Sequence, residues 1–120
     1  MWTIEIDDAA AREIRSFPDD LKGYVAKIFS LITEDGPQDL PPGFSRQIDG
    51  KLWELRLKAR SGIGRALYFT INPKRLIVVS AFVKKSQKLP DHERQKAKAR
   101  MNARLKLETA RKEGKQNEIR

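Results

Sequence analysis

The sequence predicts an α+β domain: a short strand, two helices, a four-stranded meander and a basic C-terminal helix. Three observations predict it. A helix-period apolar stripe runs from Leu21 to Ile32. Turn residues recur at regular intervals between Phe44 and Val83 and separate short strand-like runs. After Val83 the chain turns basic and helix-forming. The 120 residues suit one domain, expected over 1–107, with 108–120 as a frayed basic tail.

The elements follow in order. Trp2, Ile4 and Ile6 alternate with Thr3 and Glu5, the pattern of a half-buried strand. Asp7 or Asp8 suits the N-cap of a helix carrying Ala10, Ile14 and Phe17 on one side. Pro18 stops that helix and opens the next, whose first turn holds Asp19 and Asp20 where the dipole favours negative charge. Leu21, Tyr24, Val25, Ile28, Leu31 and Ile32 then form a core-facing stripe. Gly36-Pro37 ends the second helix, and Leu40-Pro41-Pro42-Gly43 makes a stiff loop.

The meander is read from its turns. Asp49-Gly50 separates Phe44–Ile48 from Leu52–Lys58 and is a strong hairpin signal. Ser61-Gly62 to Gly64 and Asn72-Pro73 set off the next two runs, Arg65–Ile71 and Leu76–Val83. Each connection is too short for a parallel crossover, so the four strands are expected to be antiparallel. On the second of them Trp53, Leu55 and Leu57 point one way, as core, and Glu54, Arg56 and Lys58 the other, as a charged face. Two helices over the apolar face give a two-layer domain. Pro90, with Asp91 and Glu93 behind it, starts the last helix. It is expected to reach about Leu107 with a thin stripe of Ala97, Met101 and Leu105, and Gly114 reads as a stop.

Composition narrows the function classes. Cysteine is absent, which excludes disulfides, thiol catalysis and Cys-based metal centres. The single histidine, His92, excludes a multi-His metal site within one chain. Gly62-Ile63-Gly64 lacks the spacing of a phosphate-binding loop, so no cofactor is expected. The apolar runs Leu76–Val79 and Ala81–Val83 are too short to span a bilayer, no membrane partner is expected, and the cytoplasm is the default compartment. Net charge is +9, and its distribution is uneven: −5 over residues 1–43, +6 over 44–83 and +8 over 84–120. A polarised basic domain of this kind expects a polyanion, above all nucleic acid.

The candidate chemistry lies on the meander and the loop after it. Arg56 and Arg65 flank one hairpin, Tyr68 follows on the same strand as Arg65, and Lys84, Lys85 and Lys88 leave the last strand. Such a cluster suits phosphate, with Arg adapted to bidentate contact. Arg46, Lys58 and Arg60 extend it as nucleic-acid-binding candidates. RNA supplies its own nucleophile, the 2′-OH, so cleavage needs a base, an acid and cations around the crowded phosphorane. Glu54 is a candidate base and equally a salt-bridge partner for Arg56. A lysine whose pKa falls among cations is a second candidate base. His92 is a candidate acid or simply a solvent-facing residue of a helix first turn.

Four segments carry a resemblance. They are Pro41-Pro42-Gly43-Phe44-Ser45-Arg46, Leu52-Trp53-Glu54-Leu55-Arg56, Gly64-Arg65-Ala66-Leu67-Tyr68-Phe69, and Phe82-Val83-Lys84-Lys85-Ser86-Gln87-Lys88-Leu89-Pro90, with Ala97 and Arg100 beyond. In this order and spacing they resemble the HigB-like branch of the RelE/ParE toxin superfamily, which includes phage-derived toxins. The likeness runs from about Met1 to Arg104. It implies a RelE-like β-α-α-β-β-β-β antiparallel sheet that includes the first strand. It also implies a type II toxin that cuts mRNA in the ribosomal A site, and a cognate antitoxin of the HigA-like, helix-turn-helix kind. Carried over by position, the family's basic residues are Arg56, Arg65 and Lys84 or Lys85. Its terminal catalytic Tyr or His has no secure match, and Tyr68 and His92 stand as candidates. Two other readings share the fold: a ParE-like gyrase inhibitor without nuclease activity, and a non-enzymatic nucleic-acid binder of phage origin.

Overall fold

A computed structural model of the chain describes residues 1–85 and 88–118, those after 112 by backbone alone. Strand β1 (Thr3–Ile6) leads into helices α1 (Asp8–Arg15) and α2 (Asp19–Asp35). A 3₁₀ turn at Pro37–Asp39 and the proline loop follow, then β2 (Ser45–Asp49), β3 (Leu52–Ala59), β4 (Gly62–Ile71) and β5 (Arg75–Val83). Helix α3 (Asp91–Glu118) closes the chain. The order of elements is the one expected, and it forms one five-stranded sheet, β1-β5-β4-β3-β2.

The meander is antiparallel throughout. Strand β1 joins it parallel to β5, with Thr3 opposite Arg75 and Ile6 opposite Val78. No hairpin links these two strands, so nothing local fixes their relative direction. In the first hairpin Asp49 pairs with Leu52, which moves the turn to Gly50-Lys51 and leaves a bulge after Gln47. Gly50 takes a φ of +57°, the left-handed conformation that glycine adopts without steric cost.

Helices α1 and α2 cover one face of the sheet. Ala10, Phe17, Leu21, Val25, Ile28 and Ile32 pack there against Leu55, Leu57, Ala66, Tyr68, Leu76 and Val78. Burying each large aliphatic side chain of this set stabilises the fold by about 1.5–3 kcal/mol. Gly64 belongs to this contact. A Cβ at that position would stand 3.0 Å from Leu21 and 3.2 Å from Phe17, so only glycine lets the helices approach β4 there without displacement.

The other face is not uniformly charged. Helix α3 lies on it and sets Ala97 and Met101 against Leu52, Leu67, Phe69, Ile77 and Val79, so helices flank the sheet on both sides. The central strands β4 and β5 accordingly read as continuous apolar runs, Ala66–Phe69 and Leu76–Val79, instead of alternating. Helix α3 also passes its expected end near Leu107, and its backbone stays helical through Gly114 to Glu118.

Ion pairs fix α3 at its middle. Lys96 and Arg100 bind the Glu13 carboxylate at 3.0 and 2.8 Å. Arg104 binds Asp7 at 2.7 Å and also reaches Glu5. Arg75 bridges Glu5 and Glu108. Asp7 stands at the α1 N-cap position but makes no side-chain capping bond, because its carboxylate serves Arg104.

Candidate functional site

Side chains alternate across a strand, so Glu54, Arg56 and Lys58 of β3 share a face with Arg65 of β4. That face is the α3 side. Arg56 and Arg65 are directly opposed in the β3–β4 register, and Arg46 of β2 is opposed to Glu54. Two like charges placed opposite one another destabilise a sheet pair, so the fold itself has no use for this arrangement.

An open cavity of about 340 Å³ lies over these residues, lined by Gly43, Phe44, Ser45, Arg46, Glu54, Arg56, Arg65 and Lys84. Four cations thus face one carboxylate. The Phe44 carbonyl accepts the Arg56 N–H at 2.8 Å, which ties the proline loop to the rim. The Lys84 N–H donates to the Ile63 carbonyl at 2.7 Å and extends β5 past its end, bringing the lysine to the cavity.

Arg65 and Glu54 form the buried floor. Their side chains are 3% and 6% exposed, and Arg65 Nε lies 3.3 Å from Glu54 Oε1. The contact is an ion pair that lacks hydrogen-bond alignment, so Arg65 Nε has no hydrogen-bond partner among the described residues. Arg65 Nη1 donates to the Gly64 carbonyl at 3.2 Å. Glu54 also pairs with the largely exposed Arg46 at 3.5 Å. The expected Glu54–Arg56 bridge is replaced by these two pairs, which leaves the Arg56 guanidinium without an ion-pair partner among the described residues.

Burial pulls the Arg65 pKa down, opposed by Glu54, and Arg56 and Arg46 lower it further. Lys84 is lowered from the ordinary lysine value, first by loss of water and then by the charge of Arg65.

The remaining candidates lie elsewhere. Tyr68 is buried on the opposite face among the α1–α2 core, where its hydroxyl meets Ser45 Oγ at 2.5 Å. Burial raises its pKa, against that hydrogen bond. Its even-numbered place on β4 points it away from Arg65, so it does not join the cluster. His92 sits in the first turn of α3 with a side chain 77% exposed, 3.3 Å from Glu93, and does not line the cavity. Lys58, Arg60 and Lys85 are exposed outside it. Lys88 lines a neighbouring groove between β2 and the start of α3, together with Arg46 and Arg94. Arg94 went unnoticed in the sequence, although its place one turn into a helix after a basic loop marks it. Ser86 and Gln87 of the resemblance segment fall outside the described residues. Trp53, expected in the core, is 37% exposed.

This sheet order, with two helices on one face and a third on the other, is a RelE-like fold. The structure of a doubly substituted E. coli toxin RelE in the free state superposes with a TM-score of 0.57 at 17% identity, over 82% of this chain and 96% of that one. The archaeal RelE–RelB complex from Pyrococcus horikoshii gives 0.51 at 14% identity, over 70% and 96%. At these identities the likeness is one of fold. The chain belongs to the phage-derived Gp49-like family (DUF891), whose profile matches residues 12–102, a span that contains every residue lining the pocket. No curated protein matches the chain as a relative. No helix among the described residues is long and apolar enough to cross a membrane.

Proposed function

We propose that the chain is the toxin of a type II toxin–antitoxin pair and that it inhibits translation by cutting mRNA. The observation that carries this reading is the pocket itself. Arg46, Arg56, Arg65 and Lys84 meet around one carboxylate, and the buried Arg65 keeps an unused donor there. A phosphodiester placed in the pocket receives Arg56 and Arg46 from the open side and Arg65 from the floor. These cations neutralise the charge that builds on the phosphorane, in a site partly withdrawn from water. Lys84, with its lowered pKa, takes the proton of the attacking 2′-OH. Glu54 acts as a positioning residue that orients the Arg65 guanidinium. As the 2′-oxygen bonds to phosphorus the bond to the 5′-oxygen breaks, and that oxygen takes its proton from solvent at the open pocket, giving a 2′,3′-cyclic phosphate and a 5′-hydroxyl.

The fold shared with RelE, whose archaeal form is solved as a complex with RelB, supports a protein antitoxin. We assign that partner to the HigA-like, helix-turn-helix class, and the substrate to mRNA on the ribosome in the cytoplasm.

The test is induction in a bacterial host with primer extension on a defined mRNA. Discrete new 5′ ends soon after induction, lost in Arg56→Ala, establish cleavage. Arg56 is the variant of choice because it is exposed and holds no ion pair among the described residues. Toxicity with intact mRNA transfers the protein to the gyrase-inhibitor reading. Absence of toxicity in a folded, expressed protein leaves a binding role.

A further inference from the structure

Trp53 occupies an unusual place. It shares a sheet face with the core residues Leu55 and Leu57, yet it remains 37% exposed at the end of the sheet. Two grooves meet at its ring. One, of about 490 Å³, is apolar and runs along Trp2, Leu40 and Pro41. The other, of about 1280 Å³, passes between the Gly50-Lys51 turn, the end of β4 and the last described turns of α3.

The second groove is cationic. Lys51 and Lys112 have no ion-pair partner among the described residues, and Arg111 is 67% exposed at 3.7 Å from Glu108. The Glu108 carboxylate is already held by Arg75 at 2.9 Å, so it does not neutralise the groove. Thr70 and Asn72 add hydrogen-bonding groups beside the indole. An exposed aromatic face among uncommitted cations is how proteins hold single-stranded nucleic acid: the base stacks and the phosphates are neutralised.

We propose that this groove is a second RNA-binding site, in which a base stacks on Trp53 while Lys51, Arg111 and Lys112 hold the flanking phosphates. The choice of RNA as the polyanion rests on the proposed function. Trp53 lies three residues from Arg56, about 10 Å along β3. A strand seated in the cleavage pocket therefore reaches Trp53 around the β2 edge within a few nucleotides. An apolar peptide fits less well, because it leaves three cations unanswered.

The test uses the full chain carrying Trp2→Phe, which makes Trp53 the sole indole. The probe is a single-stranded 2′-O-methyl RNA of about 12 nucleotides, within the usual span of such sites and resistant to 2′-OH attack. Titration quenches the Trp53 fluorescence. Trp53→Leu weakens binding, followed by anisotropy of a labelled probe, by about tenfold. The Lys51→Ala/Lys112→Ala pair, which leaves the fold untouched, reduces the salt dependence by about 1.4 in log–log slope. Unquenched fluorescence with unchanged affinity in both variants overturns the proposal. So does unchanged RNA affinity with a weakened hold on the co-expressed neighbouring protein, which makes the groove a protein interface. Failure of the cleavage reading shows separately, as uncut mRNA on induction of the wild type, and leaves this binding readout intact.

Discussion

Glu13 of α1 and Arg100 of α3, 87 residues apart, are joined at 2.8 Å, and the same arginine donates to the Val79 carbonyl at 2.9 Å. Glu13 also accepts the Ala81 N–H at 3.1 Å and pairs with Lys96. One carboxylate therefore ties together the first helix, the last helix and strand β5. Glu13→Gln keeps the shape and removes the charge. It is expected to lower stability by about 1–3 kcal/mol, the cost of leaving partly buried charged donors under-satisfied, read as a reduced urea midpoint. Arg100→Ala is expected to do the same, and the two losses should not add.

The same seam sets an acid limit. Glu108 is held down to about 2 by its hydrogen bonds to Arg75, and Glu5 and Glu13 are also lowered by their arginine partners. A depressed carboxylate contributes stability that is complete above its ordinary value near 4.5 and is lost as pH falls through the folded value. Melting temperature is therefore expected to be flat at neutral pH and to fall from about pH 4.5 towards 2. Glu108→Gln should flatten that fall, because the variant has already lost the titrating group.

Arg65 and Glu54 are both nearly inaccessible, so removing Arg65 leaves the buried Glu54 with only the largely exposed Arg46 as ion-pair partner among the described residues. Arg65→Ala is expected to destabilise the fold by about 3 kcal/mol as well as to abolish activity. Glu54→Gln in the Arg65→Ala background should recover much of the stability without restoring cleavage. Parallel melts and primer extension separate the two effects.

With Lys84 as the base of the proposed cleavage, the reaction acquires a pH dependence. With the neutral amine as base, single-turnover cleavage is expected to rise with pH from neutrality and level off below the ordinary 10.5 of a lysine. Lys84→Arg keeps the cation but cannot deprotonate in this range, so it should lose both the rate and the rising limb. Retention of the rising limb in Lys84→Arg would assign the base elsewhere.

Gly64 sets the spacing between α2 and the strand that carries Arg65. Gly64→Val drives two methyl groups towards Leu21 and Phe17 and is expected to cost about 1–3 kcal/mol, measured by thermal denaturation.

Much of this architecture was legible in the chain. Turn chemistry at Asp49-Gly50 and Asn72-Pro73 marked the meander, and the Leu21–Ile32 stripe marked α2. The direction of β1 was not legible, since its partner lies some seventy positions away and no turn joins them. Helix α3 was underestimated because its docking relies on charge, which an apolar periodicity does not register. The sign was nevertheless present: Leu76–Val79 does not alternate, as a strand covered on both faces must not. The convergence of Arg56, Arg65, Glu54 and Lys84 on one cavity was legible because strand alternation and register are simple rules. Tyr68 was misplaced by the same rule left unapplied, being three positions from Arg65 and hence on the other face. Trp53 was misread because alternation gives the face and says nothing of where the covering helices stop.

The clamp of Glu5, Asp7 and Glu13 on Lys96, Arg100, Arg104 and Arg75 has a consequence for synthesis on the ribosome. The earliest segment to emerge is acidic, and its α3 partners, Lys96, Arg100 and Arg104, are nearly the last. Until they appear, β1 can already pair with β5, but the apolar half of the α3 face is bare, a topology of high contact order that completes late. A chain halted before residue 96 thus holds all five strands with one apolar face uncovered, open to proteases. The packing that holds both faces of the sheet is complete only once synthesis is almost over.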